Sequence, residues 1–226
     1  MKASVITCVS LILCLLLLSL SSCGARLEET NQGVKDGGNG ITYNHASVVY
    51  EPVEVGKKYG KLKVADKMSL ELYCIEGLEP EEWLATEDMN VLYAEGVSLP
   101  TLSEMRPRAV QICVNDTSLH ILRRVSDTQT VDALVTAWEQ GTALPYPSST
   151  PIRTYKLRFE STLYPALYYC VTYVEYSSDL VVDEVNYGKY FLYSAFDGIF
   201  VPAGDTIHRI VTAGEEETAD TQEAVS

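Results

Sequence analysis

The residue whose type and setting most plainly invite chemistry is Cys23, in the stretch Leu17–Ala25, LLSLSSCGA. A thiol is the side chain that forms a stable thioether. Two small residues, Ser21 and Ser22, stand directly before it. Other chemistry is sparse. His45, His120 and His208 lie far apart with no HExxH or His-x-His spacing. His120 alternates with Leu119 and Ile121 and reads as an outward strand residue, and His208, in GDTIHRIV, reads as structural or surface rather than as a base. No Gly-x-Ser-x-Gly elbow occurs, and Gly37, Gly38 and Gly40 lack the strand-to-helix setting of a phosphate loop. Cys74, Cys113 and Cys170 show no Cys-x-x-Cys spacing and sit in apolar runs. They read as buried thiols, with a Cys74 to Cys113 bridge as the alternative. Six acids crowd into EGLEPEEWLATED (Glu76, Glu79, Glu81, Glu82, Glu87, Asp88), but the Asp-x-Asp-x-Asp-Gly order of a calcium loop is missing and Pro80 points to a solvated turn. No catalytic residue, metal ligand set or cofactor is therefore assigned.

Stepping upstream of Cys23, Lys2 is the one charge before Arg26, and Val5 to Leu18 is an apolar block broken only by Thr7 and Ser10. A short charged start and a short apolar run describe a signal peptide, since a full span needs about 20 apolar residues. Leu20, Ser21, Ser22 and Cys23 at its end resemble the lipobox of bacterial lipoproteins. The resemblance covers residues 1–23. It implies a diacylglyceryl group on the Cys23 sulfur, cleavage just before it, and a membrane-lipid anchor facing outward from a bacterial cell membrane. At about 0.8 kcal/mol per buried CH2, two acyl chains make a durable anchor where one is marginal. An uncleaved membrane anchor and a plain secretory signal are the alternatives.

Of the 17 Lys and Arg, Lys2 alone lies in residues 1–22, which leaves 16 against 31 Asp and Glu, a balance of −15. A chain this acidic repels phosphate, so nucleic acid is not an expected partner. Residues 23–40, with GARLEETNQGVKDGGNG after the cysteine, are polar and glycine-rich and read as a flexible tether. Residues 213–226, AGEEETADTQEAVS, read as an acidic disordered tail.

Between them the pattern is mainly period two. Met68, Leu70, Leu72 and Cys74 alternate with Ser69, Glu71 and Tyr73, and Tyr155, Leu157 and Phe159 alternate with Thr154, Lys156 and Arg158. Both predict half-buried strands. Further strands are predicted near 48–55, 61–65, 83–86, 91–94, 109–114, 119–125, 168–176 and 190–196, with Asp197 and Gly198 as a two-residue hairpin turn. Val131, Leu134, Val135 and Trp138 fall at i, i+3, i+4 and i+7, with Asp127 or Thr128 as N-cap and Gly141 just past the end. The fold class expected is α+β: a predominantly antiparallel sheet with one amphipathic helix, about 129–140, packed on a face. A β-rich region, 41–115, and an α+β region, 116–212, are separated by a soft boundary near 115–118 or form one continuous domain.

Nine of the fifteen tyrosines lie between Tyr155 and Tyr193. Cross-strand packing is the plain reading. The sharper one takes Tyr168, Tyr169, Tyr173, Tyr176, Tyr190 and Tyr193 as a recognition surface for protein, peptide or glycan, since phenols give contact area with a hydrogen-bonding tip. The expected function is thus a non-enzymatic, membrane-anchored binding module. Its rivals are an envelope hydrolase with a carboxylate acid/base pair and a regulatory or structural lipoprotein that partners another membrane protein.

Overall fold

In the computed structural model, residues 25–30, 33–36, 39–65, 68–114, 120–195 and 197–213 are described. Cys23, the whole of 1–24, the boundary stretch 115–118 and the tail beyond residue 213 lie outside them. The strands in chain order are β1 (Ala25–Thr30), β2 (Gly33–Asp36), β3 (Thr42–His45), β4 (Tyr50–Pro52), β5 (Val55–Ala65), β6 (Met68–Ile75), β7 (Trp83–Thr86) and β8 (Val91–Ala94). They are followed by β9 (Pro107–Val114), β10 (His120–Val125), β11 (Arg153–Ser161), β12 (Leu167–Glu175), β13 (Val181–Val182), β14 (Val185–Asn186), β15 (Tyr190–Ser194) and β16 (Ile199–Pro202). Helix α1 is Thr128–Gln140, and a second helix, α2, covers 206–213. The protein is mostly antiparallel β with two short helices, an α+β fold. No described helix is long and apolar enough to cross a membrane.

Two large sheets and a two-stranded one, β13 with β14, share the described chain. The first closes as a barrel in the order β1-β2-β3-β8-β7-β6-β5, shut by the parallel pair β1 with β5. The second runs β10-β9-β11-β12-β15-β16, with β4 added beside β12. Alternation explains how they pack. Leu62, Leu72, Leu84 and Leu92 point into the barrel, around Val34 and Tyr43. Ile75, Trp83, Ala85 and Val91 point out of it, into one continuous core with Val110, Ile112, Leu157, Phe159 and Tyr173 of the second sheet. Strand β7 is consequently buried at all four positions, where a half-buried strand would show two.

Helix α1 starts because the Asp127 carboxylate accepts from the Thr130 N–H at 2.8 Å, satisfying one orphan donor of the first turn. It ends at Gly141, whose N–H donates to Ala137 O. A Cβ there would sit 2.3 Å from that oxygen and 2.9 Å from Val201 Cβ, so close approach makes glycine the residue that fits. Val131, Leu134 and Trp138 are buried in the shared core.

Several expectations are corrected. The stretch read as a flexible tether contains β1 and β2: Val34 is fully buried inside the barrel, and the buried Asp36 accepts from Tyr59 Oη at 2.7 Å. The few apolar residues of so polar a segment, Ala25, Leu27 and Val34, show no periodicity to read, and the pairing partners lie on β3 and β5. The strand expected over 48–55 is two, split at Val53: β4 joins the second sheet and β5 the barrel. The turn between β15 and β16 is a four-residue loop, since Ser194 pairs with Ile199. Asp197 there accepts from Ser194 Oγ at 2.5 Å, and Gly198 takes φ +66°, a conformation that costs glycine little. Helix α2 was not anticipated, though Ile207, Ile210 and Val211 have i, i+3, i+4 spacing and Ile207 and Val211 are buried. Strands β9 and β10, on either side of the boundary stretch 115–118, pair with each other as antiparallel neighbours.

Candidate ligand-binding cleft

The tyrosines divide by face. On β12, residues 167, 169, 171 and 173 turn toward the shared core, and 168, 170 and 172 toward the opposite face. Tyr169, Tyr173 and Tyr176, three of the six proposed recognition residues, are buried and serve as core. Tyr169 accepts from Trp138 Nε1 at 3.1 Å, while Tyr173 stacks between Tyr155 and Tyr190 and its buried hydroxyl has no hydrogen-bond partner among the described residues. Tyr169→Phe should therefore lower stability by about 1 kcal/mol, whereas Tyr173→Phe, which removes an unsatisfied group, should leave it unchanged or raise it by up to about 1 kcal/mol. Urea-unfolding midpoints of the two variants check this contrast. Tyr168, Tyr190 and Tyr193 are half-buried.

The histidines are not brought together. His45 and His120 are exposed, and His208 on α2 has Nδ1 3.0 Å from the buried Glu175 carboxylate, which Arg153 also approaches at 3.6 Å. The acids of 76–88 sit mostly on turns, and Glu82 and Trp83 both donate their N–H to Glu79 O. Among the described residues no group of three or more His, Cys, Asp and Glu side chains could hold a metal ion.

All three cysteines of the described chain are buried, free thiols. Burial pushes Cys170 up to about 11 despite the nearby cations of Lys156 and Arg158, and it raises Cys74 and Cys113 as well. At pH 8 the Cys170 thiolate fraction is on the order of one in a thousand, so iodoacetamide should leave it unmodified in the folded protein and alkylate it in urea, as read by peptide mass.

The face of the second sheet that turns away from the shared core carries what the sequence did not single out. Register places Glu51 of β4 opposite Tyr168, and Arg158 of β11 opposite Cys170. Both oxygens of Glu51 are thereby occupied: Lys156 Nζ contacts Oε1, and the Arg158 guanidinium donates to Oε2 at 2.9 Å. The guanidinium also lies 4.5 Å over the Tyr168 ring. Burial lowers the Lys156 ammonium and Arg158 adds to that, while Cys170 opposes both. Farther along the face, Arg124 grips Glu160 with two bonds of 2.7 Å, and this pairing holds the Glu160 carboxyl below its usual range.

Beside Glu51 lies a cleft of about 260 Å3. It forms where β4 and β15 meet end to end along β12: the Cys170 N–H donates to Val49 O, while two residues on Thr172 pairs with Tyr193. Ser47 Oγ donates to the Asp197 carboxylate at 3.0 Å and ties the two strand ends together. Lys156, Cys170 and Thr172 line it from the sheet, and Asp88, Met89 and Asn90 line it from the β7–β8 loop of the barrel. Met89 there has φ 63°, an uncommon conformation for a non-glycine residue.

Comparison with protein-family models, curated proteins and solved structures finds no match to this chain. Function is therefore argued from the geometry alone. Of the six tyrosines taken as a recognition surface the cleft holds Tyr193, and it is also lined by Asp88, read as part of a solvated turn, and Cys170, read as a buried thiol. Glu51, Lys156 and Thr172 were missed as site residues. The signal available was two cations at outward strand positions in RTYKLRF, but their acidic partner lies 105 and 107 residues away.

Proposed function

We propose that this chain is a lipid-anchored, extracytoplasmic binding module of a bacterial envelope, held at the membrane by a diacylglyceryl group on Cys23 and engaging its ligand through the cleft beside Glu51. The observation that carries the reading is the cleft itself. It is preformed between fixed strand ends, its ion cluster is internally paired, and Thr154, Thr172, Asp88 and Asn90 offer side-chain polar atoms that make no hydrogen bond with another described residue. The helix α1, packed on the opposite face of the sheet, is its support. A hydrolase with a carboxylate acid and base is the less favoured reading, because both oxygens of Glu51 are committed to cations. Asp88 is exposed on the rim. A lipoprotein that regulates or braces another membrane protein would use a wider surface than this cleft.

The test is sedimentation of the detergent-solubilised full chain with delipidated bacterial envelope fragments, for wild type and Tyr193→Ala. Retention by wild type and its loss in the variant is the expected result. Equal retention of the two, or steady release of soluble envelope fragments by wild type, would overturn the reading.

A further inference from the structure

We infer that the cleft takes a neutral, hydroxyl-rich ligand, a single sugar ring of a glycan, with the ring lying against Tyr193. This rests on the binding reading above and names its ligand class. Size comes first: about 260 Å3 is below the roughly 300–1,000 Å3 of pockets for drug-sized molecules, so one small ring fills it.

Charge narrows the class. Lys156 on the floor, with Arg158 behind it, opposes a cationic ligand, although both are partly neutralised by Glu51. Asp88 on the rim makes no ion pair with a described residue, and the chain as a whole carries −14. An anion would meet that field, with the Lys156 and Arg158 cations already engaged by Glu51. A neutral ligand meets neither penalty.

Hydrogen bonding and shape narrow it again. The Thr154 and Thr172 hydroxyls and the Asn90 side chain each both donate and accept, which matches sugar hydroxyls that do the same. Tyr193 supplies the flat apolar wall a pyranose presents its C–H face to. Its ring is braced by Tyr146 at 4.7 Å and by Phe200 at 6.4 Å, so little side-chain freedom is lost on contact.

The test uses three versions of one ring that differ in charge: glucose, glucosamine at pH 6.5, and glucuronate. Each is offered at millimolar concentration to the detergent-solubilised full chain, and contact is read by saturation-transfer NMR. Glucose should give the strongest transfer, by roughly fivefold over either charged ring, corresponding to about 1 kcal/mol of preference. Tyr193→Ala should abolish it and Asn90→Ala should weaken it, with urea midpoints showing that both variants fold. Equal or stronger transfer to a charged ring, transfer to none of the three, or full transfer in Tyr193→Ala would each overturn the inference. If no ring binds while envelope sedimentation still depends on Tyr193, the sugar assignment falls and the binding reading stands. If sedimentation is also indifferent to Tyr193, both fall.

Discussion

Glu51→Gln is expected to lower the stability of the folded protein by about 2–4 kcal/mol, more than a surface acid should. The side chains involved are only 16 % exposed for Glu51, 23 % for Lys156 and 14 % for Arg158. Removing the charge and keeping the shape leaves two poorly solvated cations facing each other without their shared acid. An exposed pair would cost about 0–1 kcal/mol. Because the loss is a charge imbalance rather than lost packing, Lys156→Met in the same chain should recover part of it, giving a coupling energy in a double-mutant cycle. Urea-unfolding midpoints of the two single variants and the double variant decide. A Glu51→Gln shift within error of zero would show that the cluster is solvated and that the cleft floor is not held by it.

Trp138→Ala should cost about 3–5 kcal/mol, the range for deleting a buried aromatic ring. The residue is 6 % exposed and sits at a junction. Its ring lies edge-on to Tyr169 of β12 at 6.4 Å, and Tyr169 in turn lies edge-on to Tyr50 of β4 at 5.4 Å. Tyr50 Oη donates to Pro100 O at 2.6 Å, in the segment between β8 and β9. The cavity would thus open where helix, sheet and the connection from the barrel share one core. The variant should still unfold in a single transition. Trp83, on the barrel, then becomes the one tryptophan, and its fluorescence should report the same urea range as far-ultraviolet circular dichroism. Two separated transitions would mean that barrel and sheet do not share the core described.

How far the sequence could be read depended on how each strand is buried. Period two identified β6 and β11 because one face of each meets a core while the other is wetter: Leu72 and Cys74 are buried and Ser69 exposed, Tyr155, Leu157 and Phe159 buried and Thr154 exposed. The same rule gave no warning that β7 is buried on both sides, because Trp83 and Ala85 face one core and Leu84 another. Barrel closure was not legible. It depends on β1 and β2, whose sequence is polar: β2 pairs with nearby β3, but β1 must find β5, with Ala25 opposite Gly60. The tyrosine-rich stretch was correctly located on β12 and β15 but read without its faces. Tyr169 and Tyr173 belong to the core because their neighbours there, Val131, Leu134, Trp138 and Ile207, come from segments that leave no mark in the β12 sequence. The cleft was least legible of all. It is a gap between the ends of two strands, β4 and β15, that are neighbours only through β12, and its ion cluster is assembled across more than 100 residues of chain.

We propose that Cys23 holds this domain at the outer face of a membrane, where the cleft meets its ligand. Intact mass and detergent partitioning of the protein made in a bacterium, wild type beside Cys23→Ala, test it most directly. The account predicts a wild-type chain that has lost residues 1–22, gained the mass of a diacylglyceryl group and entered the detergent phase, and a variant that gains no lipid. An unmodified Cys23 in the wild type, on a chain either intact or cut elsewhere, would contradict it.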